Sequence, residues 1–260
     1  MQFAPIPIYG NDYDQLRFQA GLSQFQMSLA HLVLKDNMYR RYYRKLSDNG
    51  GYVVLDNSII ELGNAMDFDQ VLSAAGMVRA DEVILPDVLF DSYKTIDLVT
   101  EALKNKNAKP YKKMAVVQGK DYNEICFCIK QYLEIDEIDV LGIPKAWAKL
   151  VDENSRHILL NKLFHNGILN YITQVKGKEI HLLGANDYSD FNNSYHGLIR
   201  SIDSVYPSWM ALHGIKFLPE WHANKLDRPE GKVEHKTERM THLDMAIYNI
   251  GVTLGWTHNA

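Results

Sequence analysis

The chain has 260 residues, 46% of them hydrophobic, a formal charge of −4 and only two cysteines, Cys126 and Cys128. That length supports one sizeable core, the small negative charge gives no global pull toward nucleic acid, and two thiols cannot form a four-cysteine zinc site. No apolar run approaches the roughly 20 residues that cross a bilayer, and the start MQFAPIPIYG lacks the basic opening and long apolar run of a secretory signal. A cytoplasmic protein is expected. Cys126 and Cys128 lie two residues apart in ICFCI, where a helix turns them to different faces, so they read as small hydrophobes rather than a disulfide.

Short β-branched runs recur along the chain, each followed by a turn and an amphipathic stretch. SLAHLVL, from Ser28, leads into the tyrosine- and arginine-rich helix DNMYRRYYRKL. YVVLD ends at Asp56, before a helix over residues 67–77, and EVILPD ends at Asp87, before DSYKTIDLVTEALKNK. KMAVVQG ends at Gln118 and Gly119, and the helix with the cysteines follows. IDVLGIP reaches Gly142 and precedes a long helix over residues 154–175. EIHLLG ends at Gly184 and GLIRSID at Asp203, while WMALHGIKF is a poorer candidate for an eighth strand. The polar stretch 218–240 reads as a loop excursion before a last helix, THLDMAIYNIGVTLGW.

The runs are continuously apolar rather than alternating, which is the mark of parallel strands covered by helices. Asp56 to Asp87 and Asp87 to Gln118 are each 31 residues, the repeat of a βα unit. The predicted fold is therefore a TIM-like (β/α)8 barrel, one domain over residues 1–260. An open doubly wound sheet is the alternative, but no G-x-G-x-x-G opens a helix after a strand.

Polar residues that terminate apolar strands carry the chemical signal, because a barrel gathers its strand ends on one catalytic face. Asp56, Asp87 and Asp203, accompanied by Gln118, would share one mouth. Crowded carboxylates raise the pKa of at least one of them, so one can serve as acid while another stays ionised as nucleophile. Each aspartate could instead simply cap the helix that follows it. His31 reads as the end of an apolar strand, where it could face the cleft, but a lone histidine is more often structural, and the same holds for Glu61 and His213. His222, His235 and His242 are too irregularly spaced for a metal site, and none is expected.

The set LDNSIIELG, ADEVILPD, AVVQG, VLGIP, IHLLGAN and IRSIDSVYP resembles, in order and spacing over roughly residues 50–215, the motif series of tRNA-guanine transglycosylases. The resemblance implies that Asp203 is the nucleophile and Asp56 the general acid/base. It further implies that Asp87 and Gln118 bond the guanine edge, and that Gly119, Gly142, Leu183 and Gly184 line the base pocket. Ser58 sits near the family's serine, displaced by Asn57. The chain departs from the tRNA-acting members, being shorter and having no cysteine after Cys128 for their zinc-binding subdomain. It is more similar to the small, often phage-encoded transglycosylases of the DpdA type, which insert 7-deazaguanines into DNA. The resemblance thus implies DNA and a free 7-deazaguanine as partners, no cofactor, no membrane, and the host cytoplasm if phage-encoded. Alternatives are a tRNA-acting enzyme, a barrel glycoside or nucleoside hydrolase using the same aspartates, and a non-catalytic nucleic-acid-binding barrel.

Base exchange needs the glycosidic bond exposed, so the nucleotide must be flipped or single-stranded. Arg40, Arg41, Arg44 and Lys45, with Lys35, Tyr39, Tyr42 and Tyr43, form a basic and aromatic patch that could contact phosphates and stack on bases. The same pattern also fits a solvated helix whose tyrosines pack on the barrel. A second candidate surface carries Lys216, Lys225, Arg228, Lys232, Lys236 and Arg239, interleaved with acids.

Overall fold

The computed structural model describes residues 1–150, 156–185, 190–191, 195–218, 229, 233–237 and 241–258. Among them, eight parallel strands form one sheet: β1 (Gln2–Pro5), β2 (Phe25–Leu29), β3 (Tyr52–Asp56), β4 (Glu82–Ile84), β5 (Lys112–Val116), β6 (Val140–Pro144), β7 (Glu179–Leu183) and β8 (Ser201–Ser204). Their order is β1-β8-β7-β6-β5-β4-β3-β2, which curls the sheet into a nearly closed (β/α)8 barrel. The remaining seam lies between β1 and β2. Ser23 bridges it, its hydroxyl bonding the carbonyls of Phe3 at 2.7 Å and Phe25 at 3.0 Å.

Strand alternation divides the apolar residues between two layers. Phe25, Met27, Leu29, Val54, Ile84, Met114, Val116 and Val140 fill the barrel. Their neighbours in sequence, such as Val53, Leu55, Ala115, Leu141 and Ile202, face the surrounding helices. Those helices are α1 (Tyr13–Ala20), α2 (Ala30–Lys35), α3 (Asn37–Asp48), α4 (Ile59–Leu62), α5 (Phe68–Val78), α6 (Ser92–Leu103), α7 (Tyr122–Leu133), α8 (Arg156–His165), α9 (Ile168–Asn170), α10 (Tyr206–Leu212) and α11 (Leu243–His258). Asp67, Asp91 and Asp121 cap α5, α6 and α7 through backbone N–H groups, fixing where each helix leaves its loop. Among the described residues, no helix is long and apolar enough to cross a membrane.

The N-terminal end of the barrel is closed by charge. Arg200 binds the two oxygens of the buried Glu82 at 2.8 and 3.1 Å and Glu179 at 2.9 Å, while the Tyr52 hydroxyl donates to Glu82 at 2.8 Å. Catalytic groups would therefore sit at the opposite, C-terminal end.

Three expected elements differ from the structure. SLAHLVL is not one strand: β2 ends at Leu29 and α2 begins at Ala30, because Ala30 and Val33 pack as a helical pair against the tyrosines of α3. WMALHGIKF is not a strand, since it opens within α10, whose first turn Pro207 suits. The eighth strand is instead β1, which pairs with β8 and sets Ala4 beside Asp203. Finally, the helix expected over 154–175 breaks at Gly167, whose φ of +72° ends α8; the chain resumes as α9 and a π-turn over Tyr171–Val175. Residues 154 and 155 lie outside the described ones.

Part of the 218–240 excursion also lies outside them, but 233–237 return beside the chain that leaves β1, with an isolated parallel bridge between Tyr9 and Lys236. Tyr9 N–H donates to the His235 carbonyl at 2.9 Å and Thr237 N–H to the Tyr9 carbonyl at 2.9 Å. Lys236 then reaches Asp36 at 2.6 Å and His235 reaches Glu61 at 3.3 Å. This strap ties the loops after β1, β2 and β3 together.

Candidate active site

The strand register brings the anticipated carboxylates to one end of the barrel. Asp56 is the last residue of β3 and is half-buried. Its Oδ2 accepts the Ser58 N–H at 2.9 Å, and the left-handed backbone of Ser58 (φ 61°) then turns the chain into α4. Burial pushes the Asp56 carboxyl well above its ordinary range, helped by repulsion from Glu61, Asp203 and Asp87. Asp56 is thus driven toward its protonated form. The Ser58 hydroxyl turns away from it and bonds His31 Nδ1 at 2.9 Å. His31 lies in the first turn of α2, not at a strand end.

Glu61 sits one helical turn beyond Ser58. Burial works against its charge, but the His235 hydrogen bond and charge prevail and hold the carboxyl below the usual range. Two carboxyls in mutual repulsion are therefore driven apart, Glu61 toward the ionised form and Asp56 toward the protonated one.

Asp87 lies three residues beyond β4 and is buried. Its Oδ1 accepts from Asn57 Nδ2 at 2.8 Å and its Oδ2 from Gln118 Nε2 at 2.7 Å. Burial still raises the carboxyl, with the two amides partly offsetting it. Gln118, fully buried beyond β5, completes its amide by accepting the Phe90 N–H at 3.0 Å. Asn57 donates to the Leu85 carbonyl as well, so its side chain stitches the β3 loop to the β4 loop. Residue 57 had the look of a mere insertion; the structure makes it the holder of Asp87.

Asp203 is 3% exposed, at the third position of β8. Its Oδ1 accepts two bonds, from Gly184 N–H at 2.9 Å and from His181 Nε2 at 3.0 Å. Gly184, at φ +67°, turns the chain beyond this bond, and the next N–H, of Ala185, donates to the Asp203 carbonyl at 2.8 Å. His181, inside β7 and fully buried, is a site residue that sequence reasoning missed.

The other anticipated glycines serve packing. A Cβ on Gly142 would lie 2.9 Å from Leu183 and 3.0 Å from Met114, inside the barrel. One on Gly119 would lie 2.8 Å from the Ile125 nitrogen, so this glycine admits the start of α7. Leu183 is half-buried above Gly142, and its carbonyl accepts from Arg156 Nη1 at 2.6 Å. Arg156 also binds the Ile143 carbonyl at 2.9 Å and pairs with the buried Asp190 at 2.7 Å, clamping the ends of β6 and β7.

The basic patch does not converge on this mouth. Tyr39, Tyr42 and Tyr43 are buried against the barrel at 1%, 5% and 0% exposure, so none can stack on a base. Tyr43 donates to the Met27 carbonyl at 3.1 Å, and the Tyr39 hydroxyl accepts the Leu29 N–H at 3.0 Å. Arg40 is held by Asn37 and the Val33 carbonyl, and Arg44 by Asp48 and the Met77 carbonyl, along the outer wall. Arg41 and Lys45 are exposed. In the second surface Lys236 is spent on Asp36 and Lys216 lies over the Tyr248 ring, while Lys225, Arg228, Lys232, Arg239 and His222 lie outside the described residues. His213 bonds the Trp209 carbonyl at 2.9 Å at the end of α10. Among the described residues, no group of three or more His, Cys, Asp or Glu is placed to hold a metal ion. Burial pushes the Cys128 thiol up to about 11, and both cysteines are free.

The fold and site together define a (β/α)8 barrel with three aspartates and a glutamate at its C-terminal mouth. No family model matches the chain, and no curated protein matches it.

Proposed function

We propose that the protein is a base-exchange transglycosylase that replaces guanine in DNA with a 7-deazaguanine through a covalent aspartyl-glycosyl intermediate. The observation that carries this reading is the division of labour between two carboxyls at one mouth. Asp203 offers an oxygen free of protein bonds among the described residues, while Asp56 is driven toward its protonated form. That is the pairing a double displacement requires. In the first step an oxygen of Asp203 bonds to C1′ as the bond from C1′ to guanine N9 breaks, and Asp56 delivers its proton to the departing base. In the second, Asp56 takes the N9 proton of the incoming 7-deazaguanine, N9 bonds to C1′, and Asp203 leaves as carboxylate. Two inversions retain the β configuration. Asp87, gripped by Asn57 and Gln118, offers its remaining lone pairs to the N–H groups of the base, and Gln118 acts through it. The choice of DNA rests on the resemblance to the small DNA-acting transglycosylases and on the absence of cysteines for a tRNA enzyme's zinc module.

The test is to incubate the protein with DNA and labelled guanine. Label should enter DNA with wild type and not with Asp203→Asn, whose amide oxygen still accepts from Gly184 and His181 and so spares the fold. With incoming base withheld, wild type alone should form a DNA adduct that survives denaturation. Label entering tRNA instead would change the polymer; release of free base with no label incorporated would indicate hydrolysis; an active Asp203→Asn would remove the nucleophile.

A further inference from the structure

In β7 the residues Glu179, His181 and Leu183 alternate onto the barrel interior, and the register places His181 between Gly142 of β6 and Ser201 of β8. His181 is fully buried, and both its ring nitrogens are engaged: Nδ1 with Ser201 Oγ at 2.7 Å and Nε2 with Asp203 Oδ1 at 3.0 Å. The chemistry of the partners settles which nitrogen carries the proton. A guanidinium only donates, so Ser201 Oγ accepts from Arg200 Nε at 2.9 Å. That leaves the single hydroxyl proton of Ser201 available to Nδ1, which accepts it when the ring is neutral and carries its hydrogen on Nε2. A carboxylate only accepts, so Nε2 bears the hydrogen that Asp203 receives. Burial, together with the Arg200 charge, holds the imidazole below its ordinary pKa against the pull of Asp203, so the ring is neutral. Arg200 is itself fixed by Glu82 and Glu179 at the floor of the barrel. One directed chain of hydrogen bonds thus runs up the barrel axis, from the ion cluster at the floor to the carboxylate at the mouth.

We propose that His181 is a positioning residue for the transfer reaction: as the neutral Nε2–H tautomer it grips Asp203 Oδ1 jointly with the Gly184 N–H, and so makes Oδ2 the attacking atom. This rests on the reading of Asp203 as nucleophile. Two donors on one oxygen fix the plane of the carboxylate, and Oδ2 accepts no protein hydrogen bond among the described residues. The arrangement serves the intermediate equally well. When Oδ2 is bonded to C1′, Oδ1 is the ester carbonyl, which still accepts from the same two N–H groups. No proton is transferred to or from His181 at any stage.

The experiment combines spectroscopy with a pair of variants. Nitrogen-15 NMR of histidine-labelled wild type should show His181 as neutral Nε2–H at about pH 7.5, with protonation setting in only below the pH at which an exposed histidine titrates. His181→Leu, which loses the donor, should lower kcat about 10- to 100-fold, the loss of one hydrogen bond to a charged group, with KM for the incoming base unchanged. His181→Gln returns an N–H near the Nε2 position and should recover most of that loss. An Nδ1–H or doubly protonated ring in wild type, or a glutamine variant as impaired as the leucine one, would overturn the proposal. If His181→Leu does not fold, Ser201→Ala serves: deleting the proton aimed at Nδ1 should produce an Nδ1–H population and a lower kcat, and no change in either overturns the assignment. Failure of the underlying function reads differently: wild type would then form no glycosyl adduct at all, and the proposal would fall with it even if the tautomer were as assigned.

Discussion

Replacing Asp56 by asparagine should stabilise the protein while abolishing base exchange. The side chain keeps an oxygen for the Ser58 N–H, now held at 2.9 Å, so the local geometry survives. What disappears is a carboxyl that the folded chain resists ionising, because it is buried and repelled by Glu61, Asp203 and Asp87. The sign follows from linkage. A carboxyl raised in the folded state costs no stability below the ordinary carboxyl pKa of about 4, where both states are protonated. As pH rises, the unfolded chain ionises first and the folded state loses ground, a deficit that is complete above the raised folded value. Asp56→Asn escapes that loss. The gain at neutral pH should be about 1.4 kcal/mol for every tenfold by which folding weakens the acid. At this chain length, each kilocalorie is worth roughly 2–4 °C in Tm. Melting curves of both proteins should therefore be separated at pH 7.5 and converge as pH falls toward 4. An Asp56→Asn protein less stable than wild type at neutral pH, or a separation that ignores pH, would mean that Asp56 is ionised and satisfied in the folded chain. It could not then be the proton donor.

Two further outcomes follow from the surroundings of Asp87 and of α3. Asp87→Ala strands the Asn57 and Gln118 amides in a buried place, so calorimetry should show lost binding of guanine and 7-deazaguanine, with a stability cost of about 1–3 kcal/mol per unpaired group; unchanged base binding would remove Asp87 from the pocket. Replacing Arg40, Arg41 and Arg44 with alanine should leave the salt dependence of DNA binding unchanged, because these residues lie on the outer wall and their tyrosines are buried. A reduced slope would restore α3 as a phosphate contact.

The barrel was legible because its signal recurs: apolar runs follow one another along the chain, and those ending at Asp56, Asp87 and Gln118, spaced by 31 residues, with the one ending at Asp203, state both the parallel sheet and the end at which polar groups gather. The failures came where an element is too short or too apolar to announce itself. β1 is four residues long, ends in Pro5 and carries no polar terminus, so nothing in it competes with the longer apolar run at Trp209. The register with β8 makes it a strand, and register is a property of two segments. His181 was passed over because a histidine amid Ile180, Leu182 and Leu183 looks like core; its significance comes from Ser201 and Asp203, 20 and 22 residues away. For the tyrosines of α3 the sequence left two readings open, base-stacking residues or packing on the barrel, and the structure bears out the packing. Spaced over residues 39, 42 and 43, they fit one face of a helix, and a face that apolar packs inward whatever charges flank it.

The strap over residues 233–237 allows the local and the long-range roles of one carboxylate to be separated. Asp36 is buried and caps α3 through Oδ1, accepting from Met38 and Tyr39 N–H at 2.8 and 3.2 Å; Oδ2 receives Lys236 at 2.6 Å and the Tyr9 hydroxyl at 3.3 Å. Burial opposes its charge, but Lys236 and the two helix N–H groups prevail and hold the carboxyl below its usual range. Stability from this arrangement is present above the ordinary carboxyl pKa and is lost as pH falls through the lowered one. Asp36→Asn keeps a capping oxygen and removes only the charge that Lys236 seeks. Since Lys236 is 43% exposed, that loss should be small, about 0.2–1 kcal/mol. Asp36→Ala removes the cap as well, worth about 1 kcal/mol more. Hydrogen exchange locates the difference. Thr237 N–H, which donates to Tyr9 across the strap, should exchange faster in both variants, whereas the first-turn amides Met38 and Tyr39 should exchange faster only in Asp36→Ala. If Thr237 is unaffected by Asp36→Asn, Lys236 does not hold the strap. The backbone pairing with Tyr9 and the His235 bond to Glu61 would then keep residues 233–237 beside the mouth.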